Sequence, residues 1–136
     1  MINDFGRDPI PGVQRLAPDT AYLLVRNGPQ ANREIPLTQV RMAIGRNDPP
    51  HLRVDIDLSE CELGDPPAVS RRHAILQWDR GTLQIRDLGS RNGTFVDSKK
   101  LEIPPNQSFS EPVSLKAGSH IRLGNLELEI INHESY

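Results

Sequence analysis

The sequence predicts an all-β sandwich, and three observations carry that prediction. Short segments alternate apolar and polar residues with period two. Turn chemistry interrupts them at intervals of about 8–12 residues. No window of a dozen residues carries the apolar stripe of an amphipathic helix.

The elements follow in order. Strands are predicted at Tyr22–Arg26, Arg33–Leu37 and Val40–Gly45. Next comes Val54–Leu58, which sets Val54, Ile56 and Leu58 against Asp55 and Asp57 and so reads those two acids as a wet face. Ala74–Trp78 and Thr82–Leu88 follow, the second with Leu83 and Ile85 opposed to Gln84 and Arg86. Thr94–Val96, Lys99–Leu101 and Val113–Leu115 are short. His120–Gly124 opposes Ile121 and Leu123 to His120 and Arg122, and Leu126–Ile130 opposes its three apolar residues to Glu127 and Glu129. Turn residues stand between them: "NGPQ" at Asn27, "DRG" at Asp79, "RNG" at Arg91, "VDSKK" near Asp97 and "LGN" at Leu123. Asn92-Gly93 spells a type I′ hairpin, since both residues tolerate positive φ. Ser59–Val69 and Ile103–Ser110 read as longer loops. Residues 1–19, with Pro9, Pro11, Gly12 and Pro18, read as a flexible extension, residues 20–132 as one domain and residues 133–136 as a tail.

Composition narrows the function classes. The chain has 136 residues, 36% hydrophobic and 25% charged, which suits a single domain with one core. A net charge of −2 gives no global reason to expect nucleic acid or an anionic membrane. With two Tyr, three Phe and one Trp there is no stacking platform for single-stranded nucleic acid. Cys61 stands alone, so neither an internal disulfide nor a CxxC zinc site is available, and a reducing, cytoplasmic setting is expected. No apolar run approaches the roughly 20 residues of a membrane span. The N-terminus lacks the charge and apolar core of a signal peptide.

Catalytic signatures are missing as well. There is no GxGxxG, P-loop or GxSxG. His51, His73, His120 and His133 lack ligand spacing, and "DIDLSE" does not meet calcium-loop spacing. The expectation is a protein that is not an enzyme and takes no metal or cofactor.

Three pieces at strand ends do carry chemistry: "IGR" at Ile44–Arg46, "SRRHA" at Ser70–Ala74 and "GSRNGT" at Gly89–Thr94. They supply Arg46, Arg71, Arg72 and Arg91, the hydroxyls of Ser70 and Ser90, and the Asn92 amide. Brought to one end of a sandwich, they would make a small donor-rich, positive surface. Its natural ligand is a compact anion such as a phosphate monoester, with roughly −1.5 to −2 charge at pH 7. Guanidinium groups match its oxygens in bidentate fashion.

Taken in order, Gly45-Arg46, then Ser70-Arg71-Arg72-His73, then Asn92-Gly93, with "VSRRHAILQW", "LQIRDLGSRNGTFV" and "HIRLGNLELEI" between and after them, resemble the forkhead-associated (FHA) domain family over residues 21–131. The resemblance implies an eleven-strand β-sandwich of two antiparallel or mixed sheets. It implies a non-enzymatic module that binds a phosphothreonine-containing protein or peptide in Ser/Thr kinase signalling. By the same likeness Arg46, Ser70 and Arg71 hold the phosphate and Asn92 holds the ligand's backbone. Gly45, His73 and Gly93 are scaffold positions. Arg91 sits where the family often has Thr or Ser, and it either adds charge to the anion site or points to solvent. The alternative is a phosphate-independent scaffold or oligomerisation domain, which some family members are. Thr20, at the junction of extension and domain, is a candidate phosphorylation site that would link chains, so the expected state is a monomer or a phospho-dependent oligomer.

Overall fold

The computed structural model describes residues 15–133. The N-terminal part of the predicted extension, residues 1–14, and the end of the tail, residues 134–136, lie outside them.

Alternation in the sequence becomes two facing sheets. Eleven strands form: β1 (Ala21–Val25), β2 (Glu34–Pro36), β3 (Arg41–Gly45), β4 (Ile56–Asp57), β5 (Arg72–Asp79), β6 (Thr82–Asp87), β7 (Thr94–Val96), β8 (Lys99–Lys100), β9 (Val113–Leu115), β10 (His120–Leu123) and β11 (Leu126–Asn132). One sheet has the order β2-β1-β11-β10-β7-β8 and the other β4-β3-β5-β6-β9. All pairs are antiparallel except β3 with β4, which makes the second sheet mixed.

The apolar face of each strand points between the sheets. Leu23 and Val25 of β1, Leu76 of β5, Leu83 and Ile85 of β6, Ile121 and Leu123 of β10, and Leu126, Leu128 and Ile130 of β11 are all in the buried core. Fully burying such a side chain contributes about 1.5–3 kcal/mol each, so this face is the main source of stability. Tight turns are read from the backbone. Arg80-Gly81 and Asp97-Ser98 each place two residues at positive φ between paired strand ends, the mirror-image turn that fits strand twist. Among the described residues no helix is long and apolar enough to cross a membrane.

Three expectations change. The strand predicted over Val54–Leu58 shortens to Ile56–Asp57; Asp55 is exposed as expected, but both acids also bind backbone N–H groups. The Asp55 carboxylate accepts the backbone N–H of Ala43 at 2.8 Å. Asp57 accepts the N–H groups of Asn47 and Ser59 and the Ser59 hydroxyl. Asp55 binds the backbone of β3 and Asp57 that of the neighbouring loops, and such side-chain bonds compete with strand pairing.

The Asn92-Gly93 hairpin is also corrected. Residues 88–93 carry the chain from β6 in one sheet to β7 in the other, and of the Asn92-Gly93 pair Gly93 alone has positive φ, +89°. Thr20, finally, is not an accessible modification site. It is 2% exposed, its hydroxyl donates to the Ala17 carbonyl and its own carbonyl accepts the His133 N–H. A phosphate there has no room while this turn is formed. Leu16, just before it, already packs on the core.

Candidate functional site

The sheet order brings the three motifs together. β3, β5 and β6 are antiparallel neighbours, so the end of β3 (Gly45), the start of β5 (Arg72) and the end of β6 (Asp87) lie at one end of the sheet. The loops that leave these ends line one groove of about 440 Å³. Its lining includes the basic and polar Arg46, Ser70, Arg71, Arg72, Arg91 and Asn92 and the apolar Leu52, Pro66, Pro67 and Ala68. All five residues predicted to touch ligand are therefore lining residues of the same groove.

Gly45 allows the loops to approach. A Cβ at this position would stand 2.0 Å from the Arg71 carbonyl oxygen and 2.8 Å from that of Ser70. The close contact is used: Arg46 N–H donates to the Arg71 carbonyl at 3.1 Å. The strand register slips between Ile44 and Gly45, a bulge that turns the end of β3 beneath the β5 loop. Arg46 is then anchored by its Nε, which donates to the Val69 carbonyl at 2.6 Å, with the Glu62 carboxylate 4.0 Å away. The two terminal nitrogens of its guanidinium make no hydrogen bond among the described residues, and a fork held at its base in this way suits an oxyanion.

His73 ties two loops from inside the fold. It is fully buried; Nδ1 accepts the Ser70 N–H at 2.9 Å and Nε2 stands 2.9 Å from the Gly93 carbonyl. A carbonyl can only accept, so Nε2 carries the proton and the ring is the neutral tautomer. Burial, the largest influence, holds its pKa below the usual value for histidine, although the Gly93 carbonyl and the Asp87 and Glu62 charges pull the other way. The unfolded chain takes up this proton near pH 6.5, and the folded chain only at lower pH. Stability from this group is therefore complete above about pH 6.5 and falls on acidification through that value. The melting temperature is expected to drop between pH 7 and pH 5, and a His73→Gln variant is expected to show a shallower drop in the same buffers.

The connection 88–93 is organised by Asp87. Burial is the largest influence on its carboxyl and acts to raise the pKa. The hydroxyls of Ser90 and Thr94 and the N–H groups of Ser90 and Gly89 together outweigh it, and the pKa is lowered. The bonds are short: 2.6 Å from Ser90 Oγ, 2.7 Å from Thr94 Oγ1, 2.9 Å from Gly89 N and 3.0 Å from Ser90 N. Ser90 passes the order on by accepting the Gly93 N–H at 3.0 Å. This gives Ser90 the role that the sequence left open. Ser70 Oγ accepts the Arg91 N–H at 3.0 Å, which aligns the second and third motifs. A hydroxyl that accepts there keeps its own proton for a ligand oxygen.

Two predicted contacts are already partnered inside the protein. Asn92 Nδ2 donates to the Ala68 carbonyl at 2.9 Å, which leaves the amide oxygen as the atom that can accept from a ligand's backbone N–H. Arg71 Nη1 pairs with Asp48 Oδ2 at 2.8 Å. This hydrogen bond is the largest influence on Asp48 and holds its carboxyl below the ordinary aspartate range. Asp48 thus competes with any anionic ligand for Arg71. Asp48→Asn is expected to tighten binding of an anionic ligand about two- to fivefold, the scale of an exposed ion pair, as titration calorimetry would show.

Glu62 is a residue beside the groove that the sequence placed only in the long loop Ser59–Val69. Its two carboxylate oxygens accept the N–H groups of Ala68 and Val69 at 3.0 and 3.1 Å. Nothing in the sequence sets it apart from Glu60 and Asp65 of the same Pro- and Gly-containing loop, and its partners are backbone groups without a sequence signature. No group of three or more His, Cys, Asp or Glu that could hold a metal ion occurs among the described residues.

Comparison with known proteins fits this geometry. The family model described as FHA domain matches residues 42–124, from β3 to the turn before β11. The chain belongs to the FHA family. Over 121 residues this FHA protein is 34% identical to an oxoglutarate dehydrogenase inhibitor of Corynebacterium jeikeium, covering 89% of the chain and 71% of that relative. Over 119 residues it is 36% identical to the glycogen accumulation regulator GarA of Mycolicibacterium smegmatis, covering 88% of the chain and 63% of GarA. Among solved structures, one described as a structural and functional analysis of phosphothreonine-dependent FHA domain interactions has a TM-score of 0.62 at 27% identity, over 85% of this chain and 99% of that one. The FHA assignment and the eleven-strand sandwich expected from the sequence are both borne out.

Proposed function

We propose that this FHA domain is a non-enzymatic module that binds a phosphothreonine-containing segment of a partner protein in Ser/Thr kinase signalling. The observation that carries the reading is the Arg46 guanidinium. It is fixed through Nε, unpaired at its other two nitrogens among the described residues, and shares a groove with the Ser70 hydroxyl and Arg71. A phosphate ester can take paired N–H donors from Arg46, a hydroxyl from Ser70 and a second guanidinium from Arg71 once Asp48 is displaced. Asn92 then fixes the peptide backbone beside it. The names of the relatives support a regulatory role: one is an inhibitor of a dehydrogenase and another a regulator of glycogen accumulation.

The preference for threonine over serine would rest on its γ-methyl, worth about 0.8 kcal/mol when buried. Leu52, Pro66, Pro67 and Ala68 supply apolar surface in the same groove. Titration calorimetry with a phosphothreonine peptide and its unphosphorylated twin tests the reading. Measurable binding of the first alone is expected, and equal affinity for both would overturn it. Under this reading the domain acts in the cytoplasm, where kinases write the mark, as a monomer that pairs with a phosphorylated partner.

A further inference from the structure

The groove holds more positive charge than a single phosphate uses. Four arginines line it, and no carboxylate does. Two of them have an acidic neighbour at the rim: Arg71 pairs with Asp48 at 2.8 Å, and Arg46 has Glu62 at 4.0 Å. The other two, Arg72 and Arg91, make no side-chain hydrogen bond and no ion pair among the described residues, and both are exposed. They are carried on separate supports, Arg72 at the first residue of β5 and Arg91 on the connection ordered by Asp87, and both line the same groove. Like charges left uncompensated near each other destabilise the free protein slightly and favour a ligand that supplies the missing anions. A phosphate seated on Arg46, Ser70 and Arg71 leaves that surplus in place.

Resting on the phosphothreonine reading, we propose that Arg72 and Arg91 select partners that carry acidic side chains close to the phosphothreonine, so the recognised segment is an acidic phosphopeptide. The two arginines act as specificity residues. They add affinity through carboxylates of the ligand, and the gain is screened by salt because both side chains are exposed.

Fluorescence anisotropy on the full chain can test this with three labelled peptides: phosphothreonine flanked by alanines, phosphothreonine flanked by glutamates, and the unphosphorylated glutamate peptide. Each is measured on the wild-type protein, on Arg72→Ala and on Arg72→Ala/Arg91→Ala. The glutamate-flanked phosphopeptide is expected to bind the wild type about fivefold more tightly than the alanine-flanked one, the sum of two exposed ion pairs. That ratio should shrink in the single variant and approach unity in the double. Equal binding of the two phosphopeptides to the wild type, or an unchanged ratio in the double variant, overturns the proposal and leaves the phosphothreonine reading standing. If the unphosphorylated glutamate peptide binds as well as its phosphorylated twin, the phosphothreonine reading itself falls, and this proposal falls with it.

Discussion

Arg46→Ala is expected to weaken phosphothreonine-peptide binding by about a hundredfold or more, the scale of deleting one partner of a hydrogen-bonded charge pair. Melting should change little. The side chain lies at the groove rim, and its internal bonds are one Nε donation to Val69 and a distant approach to Glu62. Two costs act together in the variant. The phosphate loses a forked donor, and the Val69 carbonyl loses the contact that holds the groove wall. Arg46→Lys separates them, since lysine restores a charge but neither the fork nor the Nε anchor. It should recover only a small part of the affinity. Full recovery with lysine would mean that charge alone matters at this position.

Gly45→Val is expected to produce the largest loss of stability of any single change considered. Its Cβ would meet the carbonyl oxygen of Arg71 at 2.0 Å and its carbon at 2.7 Å. These are backbone atoms, so no rotamer relieves the overlap. Either β3 or the start of β5 must shift, at a cost of about 3 kcal/mol or more. The shift falls on the segment that carries Ser70 and Arg71, so binding should be lost even where folding survives. Chemical denaturation read by Trp78 fluorescence would measure the first effect and calorimetry the second. A variant with wild-type stability would show that the two loops do not need this approach.

Much of the fold was legible because its rule is local. Leu83 and Ile85, or Leu126, Leu128 and Ile130, announce their buried face by alternation alone, and the structure keeps it. The pattern misled where side chains on the wet face also bind backbone. Asp55 and Asp57 alternate as a strand would, yet they bind N–H groups of β3 and of neighbouring loops, and the strand is shorter for it. Asn92-Gly93 misled in another way. The dipeptide permits a hairpin, but β6 and β7 belong to different sheets, and the bend is imposed by Asp87 through Ser90 and Thr94. Of the site, Arg46, Ser70, Arg71, Arg91 and Asn92 were visible as residue types in an order. Their existing partners were not. Asp48 against Arg71 and Glu62 under Ala68 and Val69 are long-range or backbone-directed contacts, which a sequence pattern does not encode, whereas Ser90 on Asp87 is local and went unread because Asn92-Gly93 already accounted for the turn.

The wall formed by Ala68 and Val69 has a consequence for how such a domain can change. All four backbone polar groups of these two residues are bound by side chains: both N–H groups by Glu62, one carbonyl by Arg46 and the other by Asn92. Gly64, Asp65 and Pro66, just before them, are exposed and hold none of those bonds. The tip of this loop can therefore be exchanged, by drift or by grafting, while its root keeps the anion cage in register. New partners become reachable by altering a few residues at the tip, without rebuilding the part that grips the mark.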